Sequence, residues 1–159
     1  MQSTYLEIER RFLARVTGDL PPGQRVRQGY LTLTEPSVRI RDRAGSWVLA
    51  VKSGRGLVRR EVEVAVPPAE GAVLLDMAGE LRIDKIRHDA GRWEIDVFQG
   101  KLDGLVLAEV ELESETETTP DAPSSVVLLR DVTSELTNHW LASLSPEDAQ
   151  RVVADLYGA

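Results

Sequence analysis

Apolar and polar residues alternate with period two through the first two thirds of the chain. In residues 5–14, YLEIERRFLA, Glu7, Glu9 and Arg11 fall on one face of an extended strand. Leu6, Ile8 and Phe12 fall on the other, with Arg10 between them. The motif recurs. SVRIRDR sets Arg39 and Arg41 opposite Val38 and Ile40, and WVLAVKS ends in Lys52. RREVEVAV sets Glu61 and Glu63 opposite Val62 and Val64, and RIDKIRH carries Lys85 and Arg87. WEIDVF sets Glu94 and Asp96 opposite Trp93, Ile95 and Val97, and LAEVELE sets Glu109 and Glu111 opposite Ala108, Val110 and Leu112. These patterns predict strands over 3–13, 25–33, 37–43, 46–53, 58–66, 81–88, 92–99 and 105–113. DLPPGQ, DRAGS and KSGRG separate some of them as turn-forming runs.

Helical spacing is confined to two places. PPAEGAVLLDMAG has prolines at its entry, apolar residues three and four apart, and Gly79 as a stop. After the last strand, SETETTPDAPSS is polar and Pro-rich and reads as a loop or a partly mobile linker. Two helices are expected beyond it. The clearer one has Ser145 as N-cap, Pro146 in the first position, Glu147 and Asp148 in the first turn, and Gly158 after its end. Eight short strands with short connections favour an antiparallel sheet closed into a barrel, a mainly β (α+β) fold. One domain over 1–159 is expected, with a barrel core over 1–115 and a helical segment over 125–159.

Composition narrows the function. With 42% hydrophobic and 28% charged residues the chain reads as a soluble globular domain. No apolar run approaches the roughly 20 residues of a membrane helix. The N-terminus lacks the basic-then-apolar plan of a signal peptide, so a cytoplasmic protein is expected. The absence of cysteine excludes disulfides, thiolate metal sites and cysteine nucleophiles. A formal net charge of -7 argues against nonspecific nucleic-acid binding.

The charged doublets admit two readings. In one, they face water around an apolar core, and opposite charges on neighbouring strands add a few tenths of a kcal/mol per pair. In the other, they face inward and the apolar residues pack outward against helices. A lumen lined by both signs is costly unless its ligand is also multiply charged. A polyphosphate with a divalent metal fits: arginine forks and lysine hold phosphate oxygens. Carboxylates hold Mg²⁺ or Mn²⁺. Two acids at i and i+2 stand roughly 6–7 Å apart on one face, close enough to bracket a metal.

EIERRF resembles the ExExK signature of the CYTH superfamily, the triphosphate tunnel metalloenzymes. RQGYL, VRIR, LAVKSG, RREVEVAVP, IDKIRH and WEIDVFQGKLDGLVLAEVELESE follow in the family's order, so the resemblance covers residues 4–115. It implies an eight-stranded antiparallel tunnel with its charges inside. It further implies metal-binding acids at Glu7, Glu9, Glu109 and Glu111, with Glu9 and Arg11 catalytic. Arg39, Arg41, Lys52, Lys85 and Arg87 would hold the triphosphate, with Glu61, Glu63, Glu94 and Asp96 in support. Two departures stand out. Arg11 takes the place of the family's usual lysine, and arginine cannot act as a base. DVTSELTNHWLA keeps Val132, Thr133, Asn138, Leu141 and Ala142 of the family's VTxDxRYxNxxLA, but is two residues shorter and lacks its basic-aromatic pair.

The expected activity is hydrolysis of inorganic triphosphate to pyrophosphate and phosphate with Mg²⁺ or Mn²⁺. The alternatives are a nucleoside or thiamine triphosphatase, an adenylate cyclase, or a tunnel that binds polyphosphate without cleaving it. A small triphosphate-containing substrate is the expected partner, with no nucleic acid and no membrane. An exposed apolar barrel face is compatible with a homodimer. Of the other residues, His88 is expected to end the sixth strand as a turn residue, with a proton shuttle as the alternative, His139 and Trp140 to sit in a helix, and Trp47 and Trp93 to be outward anchors for helices. Tyr30 is equally a core residue or a lining one. Arg59 and Arg60 flank the fifth strand, with one reaching substrate or both solvated.

Overall fold

Each stretch of alternation is a strand. The structure, a computed structural model, describes residues 2–54 and 56–158, and for residues 2–5 the backbone alone. Met1, Arg55 of the KSGRG turn and Ala159 lie outside the described residues. The strands are β1 (Gln2–Val16), β2 (Gly23–Thr32), β3 (Ser37–Arg43), β4 (Ser46–Ser53), β5 (Val58–Ala65), β6 (Arg82–Ala90), β7 (Trp93–Gln99) and β8 (Val106–Glu111). All pair antiparallel, in the order β5-β4-β3-β2-β6-β7-β8-β1, and β1 also pairs with β5, which closes an eight-stranded barrel. His88 lies in the sixth strand as expected, but β6 runs on to Ala90, so it is not the turn residue; its Nδ1 is 2.6 Å from Pro21 O.

β1 is long because it serves three partners: β5 along residues 2–8, β8 along 9–13 and a further strand, β9 (Val126–Asp131), along 12–16. The last of these corrects the expectation for 125–159. That segment begins with a ninth strand, β9 (Val126–Asp131), before any helix. β1 outruns β5, and backbone groups in a packed sheet must find hydrogen-bond partners. VVLLRD supplies them, although a short apolar run carries no alternation to announce a strand. The polar stretch before it is fastened to the barrel: Trp93 Nε1 donates to Asp121 O at 2.9 Å, and Arg92 holds Glu117 with two hydrogen bonds. Trp93 therefore anchors a loop, not a helix.

α1 (Pro68–Ala78) ends at Gly79, where φ is 60°, and lies across β2, β3 and β4. Its close approach depends on two residues without side chains. A Cβ on Gly71 would lie 2.5 Å from the Trp47 ring, and one on Gly29 would lie 2.6 Å from Ala78 Cβ. Gly71→Ala gains helix propensity but forces the helix off Trp47, so it is expected to destabilise by about 1–3 kcal/mol. Thermal unfolding checks this; a melting temperature at or above that of the parent would show the helix free to shift. No helix among the described residues is long and apolar enough to cross a membrane.

The inward positions change character along the barrel axis. At one end Leu13, Tyr30, Ile83, Phe98 and Leu107 form an apolar floor. α2 (Asn138–Ser143) and α3 (Pro146–Leu156) plug it with Leu141, Ala142, Ala149 and Val153, and Leu136 joins them from the segment before α2. Lys101 Nζ donates to Ala142 O and Leu144 O at 2.7 and 2.8 Å, and Tyr157 OH donates to Ala14 O at 2.8 Å, tying the plug to the wall. Ser145 caps α3 as expected, its Oγ accepting from Asp148 N. The barrel is thus a cup, apolar at the bottom and charged above.

Candidate active site

The charged faces turn inward. A cavity of about 400 Å³ opens above the floor, and among the described residues its lining is charged or amide-bearing throughout except for Gly91. It contains Glu7, Glu9, Arg11, Arg39, Arg41, Lys52, Glu61, Glu63, Arg87, Glu94, Glu109 and Glu111 from the expected set. Gln28, Arg43, Arg92 and Asn138 join them.

Strand order sorts the signs. β7, β8, β1 and β5 are neighbours in the barrel and carry the inward doublets Glu94/Asp96, Glu109/Glu111, Glu7/Glu9 and Glu61/Glu63. β4, β3, β2 and β6 are the opposite neighbours, carrying Lys52, Arg39/Arg41 and Lys85/Arg87. An acidic half-wall therefore faces a basic one, with Arg11 on β1 and Arg59 on β5 as cations within the acidic strands. Opposite charges meet at the seams: Lys52 lies 3.0 Å from Glu7 and 3.2 Å from Glu61, and Arg39 lies 3.4 Å from Glu61. Arg87 lies 2.8 Å from Asp96 and 3.7 Å from Glu109.

Two expected residues sit deeper than the rest. Lys85 is 1% exposed and Asp96 0%; neither lines the cavity. Lys85 Nζ donates to Asp96 Oδ2 at 2.7 Å and stands 5.4 Å from the centre of the Phe98 ring. Lys85 thus lies beneath the basic wall, not on it, because β6 places it one inward step closer to the floor than Arg87. Burial pushes its ammonium down to about 8 even with Asp96 beside it.

Arg11 is held on all sides. Its Nη1 donates to Leu136 O and Asn138 Oδ1, and its Nη2 lies 3.0 Å from Glu109 and 3.8 Å from Glu9. The plug therefore reaches the lumen through this side chain. Arg39 and Arg41 differ: each has a buried Nε with no hydrogen-bond partner. Burial, and then the neighbouring charge of Arg39, push the Arg41 guanidinium below its ordinary value. Both residues line the cavity and give this wall its positive charge.

The acidic wall carries the complementary excess. Glu9 is directly opposite Glu111, and Glu94 directly opposite Glu109, and like charges so placed repel. Burial, and then the charges of Glu109 and Glu7, push the Glu9 carboxyl up to about 8 against the pull of Arg11 and Lys52. Burial alone would raise Glu109 too, but Arg11 and Arg87 outweigh it and hold that carboxyl well below its usual range. Glu109 Oε1 is buried without a hydrogen-bond partner. Oxygen donors crowded in this way suit a hard divalent cation. Even so, no three acids or histidines among the described residues stand in a ready-made cluster, and Glu7 and Glu9 are engaged by Lys52 and Arg59.

Arg59 was legible by parity, since 59, 61 and 63 share a face, and the same holds for Arg43 after Arg39 and Arg41. Nothing local marks Asn138 as lining, because α2 brings it there from the far end of the chain. Tyr30 belongs to the floor at 3% exposed, its hydroxyl accepting from Gln28 Nε2 at 2.9 Å.

No family model matches the chain. Among curated proteins it is similar to an inorganic triphosphatase of Nitrosomonas europaea, 35% identical over 120 residues that cover 69% of this chain and 78% of the relative. An inorganic triphosphatase of Acetivibrio thermocellus is 37% identical over 120 residues, covering 69% and 76%. A crystal structure of an inorganic triphosphatase superposes with a TM-score of 0.61 at 30% identity, over 87% of this chain and 99% of that one. A conserved hypothetical protein of Pyrococcus furiosus, 14% identical with a TM-score of 0.51 over 94% and 87%, shares the fold.

Proposed function

The chain belongs to the CYTH superfamily of triphosphate tunnel metalloenzymes, beside the inorganic triphosphatases, and on that footing we propose that it hydrolyses inorganic triphosphate to pyrophosphate and phosphate inside the charged cup. The observation that carries the choice of substrate is the lining itself. Among the described residues no aromatic or aliphatic side chain lines the cavity, so they offer a purine or thiazolium ring nothing to stack on.

The residues divide the work by wall. Arg39, Arg41, Lys52 and Arg87 neutralise the phosphate oxygens from the cavity wall. Glu9, Glu109 and Glu111, with Glu7 beside them, would hold a divalent cation such as Mg²⁺ or Mn²⁺. When bound, such a cation supplies charge neutralisation and Lewis acidity at the phosphate oxygens. Water bonds to the terminal phosphorus as the bridging P–O bond breaks, pyrophosphate leaves, and the water's proton departs on the phosphate products. Lys85 and Asp96 act from below by fixing Arg87. Arg11, saturated by protein partners, positions Glu109 and the plug and has little left for substrate.

The test is phosphate release from inorganic triphosphate, with ATP and pyrophosphate alongside, in Mg²⁺, in Mn²⁺ and with chelator. Release from triphosphate alone, lost with chelator, is expected. Equal rates on ATP would overturn the substrate assignment, and activity in chelator would overturn the metal. Arg41→Ala is expected to raise KM for triphosphate by about ten- to hundredfold, the worth of a charge-assisted hydrogen bond. An unchanged KM would remove Arg41 from the phosphate wall.

A further inference from the structure

The two cations on the acidic wall are held differently. Arg11 has the plug as well as Glu109 to fix it. Arg59 Nη2 lies 2.9 Å from Glu7 Oε1 and 3.0 Å from Glu9 Oε1, and among the described residues those carboxylates are its only side-chain partners. Its Nε is buried without a hydrogen bond. A single nitrogen thus bridges one oxygen from each acid of the i, i+2 pair on β1.

We infer that Arg59 is a positioning residue, the internal counter-ion of Glu7 and Glu9, which pre-aligns the two carboxylates and competes with a divalent cation for them. This rests on the metal-dependent reading above. Glu7 and Glu9 would hold a divalent cation only with Arg59 displaced, since two cations on the same carboxylates repel at close range. Arg59 is the one that yields, for among the described residues it has no side-chain partner beyond these two acids, whereas Lys52 is also held by Glu61. It also borders a narrow recess together with Arg39 and Lys52, so a guanidinium released from the acids stays among the phosphate-holding cations. Triphosphate then draws Arg59 away from the acids, and metal and triphosphate each favour the other's binding, reciprocally.

The experiment is a titration of the full chain with Mn²⁺, without triphosphate, following free Mn²⁺ by electron paramagnetic resonance. Arg59→Gln is expected to bind Mn²⁺ about tenfold more tightly than the parent, within the range usual for coupled sites. Arg59→Met removes the same charge, keeps an aliphatic stem and is expected to match it, which covers a folding failure of either variant. Arg60→Gln removes an equal charge from the exposed outer side and is expected to leave the affinity unchanged. If the parent binds Mn²⁺ and the Arg59 variants bind equally or more weakly, the counter-ion role is overturned while the metal reading stands. If Arg60→Gln tightens binding as much as Arg59→Gln, overall charge accounts for the effect and the role is again overturned. Absence of Mn²⁺ binding in parent and variants alike would overturn the metal reading and this inference with it.

Discussion

Glu9→Gln is expected to lower turnover of inorganic triphosphate by about a hundredfold or more, while making the metal-free protein more stable at alkaline pH. The two effects share one cause. Glu9 is crowded by Glu7 and Glu109 on the lumen side and faces Glu111 across the β1–β8 ladder. Such a carboxylate is ready for a cation and costly without one. Its carboxyl is pushed up from 4.5 to about 8, so the folded chain keeps a proton that the unfolded chain loses between those values. Stability therefore falls as pH rises through that window, by an amount on the order of a few kcal/mol. Glutamine keeps the shape, carries no charge and abolishes the slope. Melting in chelator near pH 5 and at about pH 8.5 reads this directly, the advantage of Glu9→Gln growing at the higher pH. A variant that retained full turnover would remove Glu9 from the metal acids. One that melted lower at the alkaline pH would show that Arg59 and Arg11 stabilise its charge more than Glu7 and Glu109 oppose it.

Asp96→Asn carries the largest expected loss of stability, about 3–5 kcal/mol, because it breaks a buried ion cluster from one side. Asp96 accepts from Lys85 Nζ at 2.7 Å and from Arg87 Nε and Nη2 at 2.8 Å each, with no exposed surface. The amide leaves both cations short of a negative partner. Burial favours the neutral form of Asp96, but Lys85 and Arg87 outweigh it and hold the carboxyl below its ordinary value. Its stabilisation is therefore full above that ordinary value and is lost as pH falls through the depressed one, so the variant's deficit shrinks in acid. Denaturant unfolding at neutral and acidic pH measures both. The triple replacement Lys85→Met, Arg87→Met and Asp96→Leu is expected to recover much of the loss, since it removes all three charges of the cluster and leaves apolar side chains beside Phe98. A cost near zero for Asp96→Asn would mean that Glu109, also near Arg87, can serve both cations.

Parity along the chain was the most informative signal. Glu7, Glu9 and Arg11, or Arg39 and Arg41, share a face because side chains in a strand alternate by local geometry, and no partner is needed to establish it. Eight strands, the start of α1 at its prolines and the Ser145 cap of α3 follow from the same kind of short-range rule. β9 does not, since VVLLRD is a strand only because β1 outruns β5 and leaves its edge to be paired.

Alternation by itself tells which residues share a side, not which side is inside; the resemblance of EIERRF and the doublets after it decided that. What remained for the tertiary structure was depth and neighbourhood. Lys52 and Lys85 look alike in sequence, yet one lines the cavity and the other lies buried against Asp96, because strand tilt and register set their heights above the floor. The segregation of acids onto β7, β8, β1 and β5, and of most cations onto the other half, depends on the order in which strands pair. The plug that reaches Arg11 through Leu136 and Asn138 joins residues more than a hundred positions apart. Local periodicity is written in the chain because it costs only backbone geometry. Which charge meets which, and how far from water, is settled only when the barrel closes.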